Sequence, residues 1–287
     1  MKTNKRKRKN INNPKIKNIH LVYFSPSGST EKIVRTIASA IEGIPVVPHN
    51  LLPYNSRKEI INFQKDDLVI FGMISAGMLF TKAEEIFNCL KGNETPFIGV
   101  ISYGNAYYGV ALTEMNERAE KSGFKVTALG AFISRHSMSP ALAEGRPDSH
   151  DKEIMLDFGK RAYEKVLSGN LKLTNKPVTN WPKFDKYNFI VEFREKNKEP
   201  YFFPEDCRDK EISDECVKCG TCVRNCPTNA INIETKSFDL KKCIGCWACI
   251  NRCPKHAIKS TSEKVIEMMK DFTETFQTIR LEPDIYL

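Results

Sequence analysis

The chain alternates between short continuous apolar runs and stretches in which apolar residues recur at the spacing of a helix. The continuous runs are typical of strands that are buried on both faces, and they lie at 19–24, 67–72, 96–102 and 125–132. Strands that alternate with helices predict a parallel sheet, because each helix returns the chain to the same end of the sheet. We therefore expect an α/β domain over residues 18–168, with the run at 125–132 as its fifth strand.

The helical stretches follow these runs. Ile33, Ile37 and Ile41 lie at helical spacing and predict a helix that begins near Ser29 or Thr30. Further helices are predicted for the stretch that ends at Lys121, for 151–167 and for 265–279.

The regular spacing stops between residues 169 and 206. This segment contains four prolines and eight aromatic residues, which a flexible spacer would not carry. We predict a linker over 169–206 that packs along the boundary between two domains, the second of which covers 207–262. Residues 263–287 are predicted as a C-terminal helix that packs on either domain. The aromatic residues of the linker are Trp181, Phe184, Tyr187, Phe189, Phe193, Tyr201, Phe202 and Phe203.

Eight of the ten cysteines form two copies of one motif, in which three cysteines at intervals of three are followed by a fourth cysteine and a proline. The copies are 27 residues apart. The same shift matches Ala230 with Ala257 and Ile231 with Ile258, so the repeat includes more than the cysteines. Such spacing lets three thiolates of one loop bind one corner each of a cubane cluster, while the fourth cysteine ligates the other cluster. The predicted ligands are Cys216, Cys219, Cys222 and Cys253 for one [4Fe–4S] cluster, and Cys243, Cys246, Cys249 and Cys226 for the other.

Zinc and disulfide bonds are the alternatives for these cysteines. Zinc sites usually consist of two separated cysteine pairs, and disulfides need an oxidising compartment to which nothing in the sequence directs the chain. The motif resembles that of the bacterial two-cluster ferredoxins, and every ligand of that family's pattern is present. Cys89 and Cys207 lie outside the pattern and are predicted to be bystander thiols.

Three loops follow predicted strands and should gather at one edge of the sheet, where ligands of parallel sheets bind. The first, 25–30, is rich in hydroxyl groups, contains glycine and precedes a helix. Backbone N–H groups and the helix dipole make such a loop an anion site, although a plain serine or threonine helix cap would look similar. The other two loops are 73–78 and 103–108.

Together the three loops resemble those of the flavodoxin family, over roughly residues 18–168. The resemblance implies a doubly wound, five-stranded parallel sheet that binds FMN, whereas no dinucleotide fingerprint or Walker lysine is present for NAD(P) or ATP. The two tyrosines at 107 and 108 are equally compatible with core positions. By the resemblance, Ser25, Ser27, Gly28, Ser29 and Thr30 hold the phosphate, Ser75, Ala76, Gly77, Met78, Tyr103, Gly104 and Asn105 surround the isoalloxazine ring, and Tyr107 or Tyr108 stacks on it.

Arg135 and His136 follow the run at 125–132 at the same edge of the sheet. Either side chain could place positive charge beside the flavin and stabilise its reduced form. A surface or packing role is the alternative.

Charge and hydropathy add limits on localisation. Six positive charges of the formal net charge of +9 lie in the first ten residues, which leaves +3 for the rest of the chain. We predict that residues 1–17 form a disordered basic tail, and no aromatic residue interleaves its charges as a nucleic-acid site would require. The longest apolar run, 68–80, is too short to span a bilayer, and no signal-peptide core follows the basic start. We therefore expect a cytoplasmic protein with no membrane span.

The whole arrangement, a flavodoxin-like domain followed by a two-cluster ferredoxin domain, resembles the fused ferredoxins of the EFR1 type found in anaerobes. The resemblance implies an electron-transfer protein that exchanges electrons with redox partner proteins. One alternative is an enzyme, in which the flavin reduces a small substrate and His136 or a tyrosine donates the proton. Another is an iron–sulfur redox sensor. Cavity size discriminates the first two, because an enzyme needs room over the flavin ring for its substrate.

Overall fold

The computed structural model describes residues 15–80, 82–181 and 205–287. The predicted basic tail up to residue 14 lies outside these ranges. So do linker residues 182–204, which include seven of the eight linker aromatics.

The strands are β1 (Asn18–Phe24), β2 (Val46–Asn50), β3 (Ile61–Phe63), β4 (Asp67–Ile74), β5 (Leu90–Gly92), β6 (Thr95–Tyr103), β7 (Phe124–Ile133), β8 (Lys210–Ile212), β9 (Ile231–Asn232), β10 (Ser237–Phe238), β11 (Ile258–Ser260) and β12 (Asp284–Tyr286). The helices are α1 (Ser29–Ala38), α2 (Ala83–Asn88), α3 (Ala111–Lys121), α4 (Ser149–Leu167), α5 (Thr221–Arg224), α6 (Ala248–Asn251) and α7 (Glu263–Phe276). Two short 3₁₀ helices lie at Tyr54–Arg57 and Glu205–Arg208.

Six strands form the main sheet in the order β12-β7-β6-β4-β1-β2. The five strands from the N-terminal part run parallel to their neighbours, and β12 pairs antiparallel with β7. The order β2-β1-β4-β6-β7 is the flavodoxin-type order 2-1-3-4-5. The expected parallel α/β sheet is therefore confirmed, but the predicted count of five strands omits β12.

The main sheet carries an apolar cluster on each face. Along β4, Leu68 and Ile70 belong to one cluster and Val69 and Phe71 to the other, because successive side chains of a strand point to opposite faces. Helices α1 and α4 pack on the first cluster, and α2 and α3 on the second. Burial of both faces explains why the central strands are continuous apolar runs in the sequence.

Strand β2 is an exception to that pattern. It lies at the edge of the sheet, its first residues are exposed, and it contains Pro48. Proline is tolerated at an edge because its missing N–H removes no hydrogen bond of the ladder. The apolar pattern therefore could not locate this strand.

The cysteine-rich part consists of short elements. Strands β9 and β10 form one two-stranded sheet and β8 and β11 another, and α5 and α6 are single-turn helices at equivalent positions of the repeat. None of the helices in the described ranges has both the length and the apolar character that a membrane span requires.

The C-terminal segment returns to the main sheet. Helix α7 begins after Ser262, whose side chain accepts a hydrogen bond from the Val265 N–H, and it ends at Phe276. The chain then forms β12 beside β7. Of the segment predicted as a C-terminal helix, 263–287, α7 covers 263–276, and β12 lies near its end.

Candidate functional site

The loops after β1, β4, β6 and β7 surround a cavity of about 330 Å³, which we call the strand-end cavity. The C-terminal part closes it with Gly245 and Cys246 and with Met269 and Phe272 of α7. Eight residues predicted to hold a flavin line this cavity, namely Ser27, Ser75, Ala76, Gly77, Tyr103, Gly104, Tyr107 and His136.

The first loop presents backbone donors beside this cavity. Helix α1 begins after Gly28, which adopts a left-handed conformation with φ of 90°, and no side chain caps the helix. The helix therefore begins at Ser29, as the sequence predicts, but its cap residue is Gly28 and not a serine or threonine. Among the described residues, the Glu31 N–H of the first turn has a side-chain acceptor in Ser25 Oγ, whereas the N–H groups of Ser29 and Thr30 have none, which suits an anion.

The hydroxyl groups of the loop divide into two sets. Ser25 and Thr30 are buried: Ser25 Oγ accepts a hydrogen bond from the Glu31 N–H (3.1 Å), and Thr30 Oγ1 lies 2.7 Å from Ser102 Oγ. These two side chains stabilise the loop. Ser27 and Ser29 are half-buried, their Oγ atoms lie 3.3 Å apart, and they remain candidates for phosphate contact.

The second and third loops are packed together. Gly77 O accepts a hydrogen bond from the Val110 N–H (2.9 Å), and a Cβ atom on Gly109 would lie 1.9 Å from that same oxygen. Ser75 Oγ donates to Tyr108 O (3.1 Å). Met78 is buried and lies outside the cavity wall. The close approach of the two backbones explains the glycine at 109, directly after the third loop.

The two tyrosines have different environments. Tyr108 is fully buried and its hydroxyl donates to Asp284 Oδ2 (2.8 Å), so it takes a core role. Tyr107 lines the strand-end cavity beside Trp181, at a ring distance of 6.0 Å. Tyr107 alone of the pair is therefore available to a ring in the cavity.

Asn105 adopts a left-handed conformation and its side chain turns to the C-terminal segment. Its amide donates to Ile279 O, and its oxygen accepts from the Leu281 N–H (3.1 Å). Asn105 therefore holds the segment that follows α7, while the backbone of Tyr103 and Gly104 lies at the cavity.

His136 is neutral. Its Nδ1 atom accepts hydrogen bonds from the N–H groups of Met138 (3.2 Å) and Ser139 (3.1 Å), and burial lowers its pKa to about 4. The proton of the ring is therefore on Nε2, and His136 brings no positive charge to the cavity. Arg135 is exposed at the cavity wall and remains the candidate for that charge.

The eight repeated cysteines gather around two further cavities. Each cavity combines the triplet of one copy of the motif with the fourth cysteine of the other copy, which is the crossed arrangement that the spacing predicts. The proximal cavity is lined by Cys226, Cys243, Cys246 and Cys249, and the distal cavity by Cys216, Cys219, Cys222 and Cys253.

The sulfur atoms lie around these cavities. Within the described ranges no three His, Cys, Asp or Glu side chains converge as the ligands of a single metal ion do. Burial raises the pKa of the Cys246 thiol to about 12, which favours the protonated thiol over the thiolate. Iron would reverse this, because it binds the thiolate. Four cysteines around an enclosed space fit a cluster, which is larger than an ion.

Backbone N–H groups reach the fourth cysteine of each motif. The Ala230 N–H donates to Cys226 Sγ (3.2 Å), and the Ala257 N–H donates to Cys253 Sγ (3.3 Å). The hydrogen bond to sulfur is therefore repeated in both copies of the motif, and both alanines that donate it are buried. Lys210 Nζ also lies 3.6 Å from Cys243 Sγ in the proximal cavity.

The proximal cavity adjoins the strand-end cavity, because Cys246 lines both. At the distal cavity Cys219 is exposed. The two cavities are therefore inequivalent: the proximal cavity adjoins the strand-end cavity, and the distal cavity faces solvent. Cys89 and Cys207 are buried and line neither.

Two arginines link the cysteine-rich part to the sheet. Arg57 has a fully buried side chain and donates to Pro227 O, next to Cys226. Arg252 donates to Ser25 O (2.6 Å) and Pro26 O (2.8 Å) in the first loop. All three bonds lie between residues far apart in sequence, and no local pattern predicts them.

Sequence analysis also missed the contribution of α7. Met268, Met269 and Phe272 line the strand-end cavity from one face of this helix. Their helical spacing indicated an apolar face, but it could not indicate which part of the chain that face covers.

Residues 215–257 match the family model described as the 4Fe-4S dicluster domain. The cysteine-rich part is an iron–sulfur domain. The match covers both copies of the motif and no residue of the sheet. No curated protein matches the chain.

Several solved structures are similar to part of the chain at low identity. The flavodiiron core of Flv1 from Synechocystis sp. PCC6803 is 14% identical, with a TM-score of 0.35, over 54% of this chain and 37% of that one. A candidate flavoprotein from Bacteroides eggerthii is 14% identical, with a TM-score of 0.33, over 53% of this chain and 98% of that one. Another from Bacteroides uniformis is 13% identical, with a TM-score of 0.33, over 49% and 98%.

Proposed function

We propose that the protein transfers electrons between two [4Fe–4S] clusters and an FMN bound in the strand-end cavity. The observation that carries the proposal is the position of Cys246, which lines both that cavity and the proximal cysteine cavity. A shared wall residue allows a cluster and a flavin to lie within direct contact of the same side chain. The two domains of this chain would then be 18–168 and 207–262. Their order is that of the fused ferredoxins of the EFR1 type.

The clusters would be held by the two crossed sets of cysteines. The N–H groups of Ala230 and Ala257 donate to ligand sulfur atoms, and Lys210 adds positive charge beside Cys243. Such donors and charges stabilise the reduced, more negative state of an iron–sulfur centre. The exposed Cys219 would be the point at which a redox partner protein approaches.

The FMN would extend from the first loop into the strand-end cavity. Ser27 and Ser29 would offer their hydroxyl groups to the phosphate. Gly28 leads into the N-terminus of α1, whose N–H groups would also face the phosphate. Tyr107 and the neutral His136 lie in the wall around the ring position. FMN can accept or donate two electrons, together or one at a time. The residues of the chain would hold it next to the proximal cavity.

The size of the cavity favours an electron carrier over an enzyme. Sites for small ligands usually enclose roughly 300–1,000 Å³, and the strand-end cavity, at about 330 Å³, is at the lower end of that range. A flavin ring in this cavity would leave little volume for a substrate, and residues of α7 and Cys246 form part of its wall.

Cofactor content tests this proposal directly. Protein purified without oxygen should contain about eight iron, eight sulfide and one FMN per chain. Iron, sulfide and flavin released by acid can be measured on the same sample. Zinc in place of iron, or FAD in place of FMN, would contradict the proposal.

Gly28→Val should abolish FMN binding while both clusters remain. Gly28 has a φ of 90°, which a β-branched residue adopts only with strain, so the start of α1 must move. Flavin fluorescence titration and iron content would be compared with those of Gly43→Val, a second glycine of positive φ (76°) with no neighbour within 4 Å. Unchanged flavin affinity in Gly28→Val would mean that the anion site lies elsewhere.

A further inference from the structure

The contact between Arg252 and the first loop joins the iron–sulfur domain to the proposed phosphate site. Arg252 Nε donates to Pro26 O (2.8 Å), and Nη2 donates to Ser25 O (2.6 Å). The same Nη2 atom lies 3.9 Å from the position that a Cβ atom on Gly28 would take. The guanidinium is therefore held beside the turn that leads into α1.

The first loop has donors but no cation of its own. Residues 25–30 contain no lysine or arginine, and Gly28 caps α1 without a side chain. The nearby carboxylate of Glu31 is paired with Arg35 (2.8 Å), which holds that arginine away from the loop. A phosphate monoester carries a charge between about −1.5 and −2 at neutral pH, which backbone dipoles alone compensate only partly.

The geometry of the guanidinium suits this role. Arginine has five donor hydrogens, and the two carbonyl groups of the loop use only part of them. The two bonds fix the plane of the group, and the remaining hydrogens stay available to an anion at the start of α1. Arg252 is half-buried, so its charge is screened less than that of an exposed arginine.

The iron–sulfur domain does not itself need arginine at this position. Shifted by the 27-residue repeat, Arg252 corresponds to Asn225, whose amide donates to Thr221 O (2.9 Å) within its own short segment. The two residues follow α6 and α5, respectively. The first copy of the repeat thus forms with asparagine at this position. In the described part of the chain, both side-chain hydrogen bonds of Arg252 go to the first loop.

We propose that Arg252 is the phosphate-binding cation of the FMN site, contributed by the iron–sulfur domain. This inference rests on the proposed function, since it assumes FMN at the first loop. Because Arg252 lies between Cys249 and Cys253, ligands of the proximal and the distal cavity, the folded iron–sulfur domain completes the flavin site.

The test uses flavins with and without a phosphate. Flavin-free protein with intact clusters is titrated under anaerobic conditions with FMN and with riboflavin, for wild type, Arg252→Gln, Arg252→Lys and Arg161→Gln. Arg161 is exposed on α4 and pairs with Asp157, so its replacement removes one charge far from the loop. Iron content and thermal unfolding of each variant establish that the clusters and fold are retained.

Arg252→Gln should weaken FMN binding about 10-fold or more, because a hydrogen bond to a charged group contributes at least that much, while riboflavin affinity changes less than about twofold. Arg252→Lys should be intermediate, and Arg161→Gln should match wild type. Equal losses for both flavins, or FMN affinity within about twofold of wild type, would overturn the role of Arg252. Wild-type protein that binds neither flavin would instead overturn the proposed function.

Discussion

Under the proposed function, replacement of Cys226 by alanine is expected to stop electron flow to the flavin while leaving the distal cluster in place. Cys226 follows the first triplet in sequence, but it lies in the proximal cavity with the second triplet. The variant leaves three thiolates around that cavity and all four around the distal one. Iron content should therefore fall from about eight to about four per chain.

Rapid mixing with a low-potential donor separates the two steps. In wild type, bleaching of the clusters should be followed by bleaching of the flavin at a second wavelength. In Cys226→Ala the distal cluster should still be reduced, but flavin reduction should be lost, because the cavity that adjoins the strand-end cavity through Cys246 no longer holds a complete cluster.

Two further cysteine variants serve as controls for Cys226→Ala. Cys253→Ala should damage the distal cluster and spare the proximal one, the reverse of Cys226→Ala. Cys207→Ala changes a buried cysteine of the same domain that lines neither cavity, and should keep both clusters. Flavin reduction as fast in Cys226→Ala as in Cys207→Ala would show that electrons bypass the proximal cluster.

The parts of this molecule that the sequence could predict are those set by short-range pattern. Strand β1 was expected at 19–24 and spans Asn18–Phe24, because a strand buried on both faces is a continuous apolar run. The cysteine spacing likewise predicted which triplet lies with which fourth cysteine, since a single-turn helix and a proline fix the direction of the chain.

The remaining features depend on contacts between distant residues. Strand β12 has three residues, too few to show a period of two, and its place is set by pairing with β7. Tyr107 and Tyr108 are adjacent in sequence and have the same side chain. Their different roles depend on the tertiary structure, in which Asp284 accepts a hydrogen bond from the Tyr108 hydroxyl. Arg252 and Arg57 bond carbonyl groups more than 160 residues away, which no sequence window contains.

Shortening the chain after Ile279 should destabilise the sheet and with it the wall of the strand-end cavity. The deletion removes β12, which pairs with Leu129, Gly130 and Ala131 of β7, and it removes the acceptor of the buried Tyr108 hydroxyl. A buried donor left without its acceptor costs about 1–3 kcal/mol, and the lost strand adds to that. Thermal unfolding followed by circular dichroism should show a fall in Tm of roughly 6–12 °C, as expected for a loss of about 3 kcal/mol in a domain of this size.

A pair of point substitutions tests whether the Tyr108–Asp284 hydrogen bond carries that effect. Asp284→Ala should lower the free energy of unfolding by about 1–3 kcal/mol, because the Tyr108 hydroxyl stays buried and keeps only Tyr286 at 3.4 Å. In a Tyr108→Phe background the same substitution should cost much less, because no buried donor is left behind. Ile266→Ala, at a side chain exposed on α7, should leave the free energy of unfolding unchanged within about 0.5 kcal/mol. If Asp284→Ala costs as much in Tyr108→Phe as in wild type, the hydrogen bond does not hold β12, and the stabilisation by this strand must come from its backbone pairing with β7 alone.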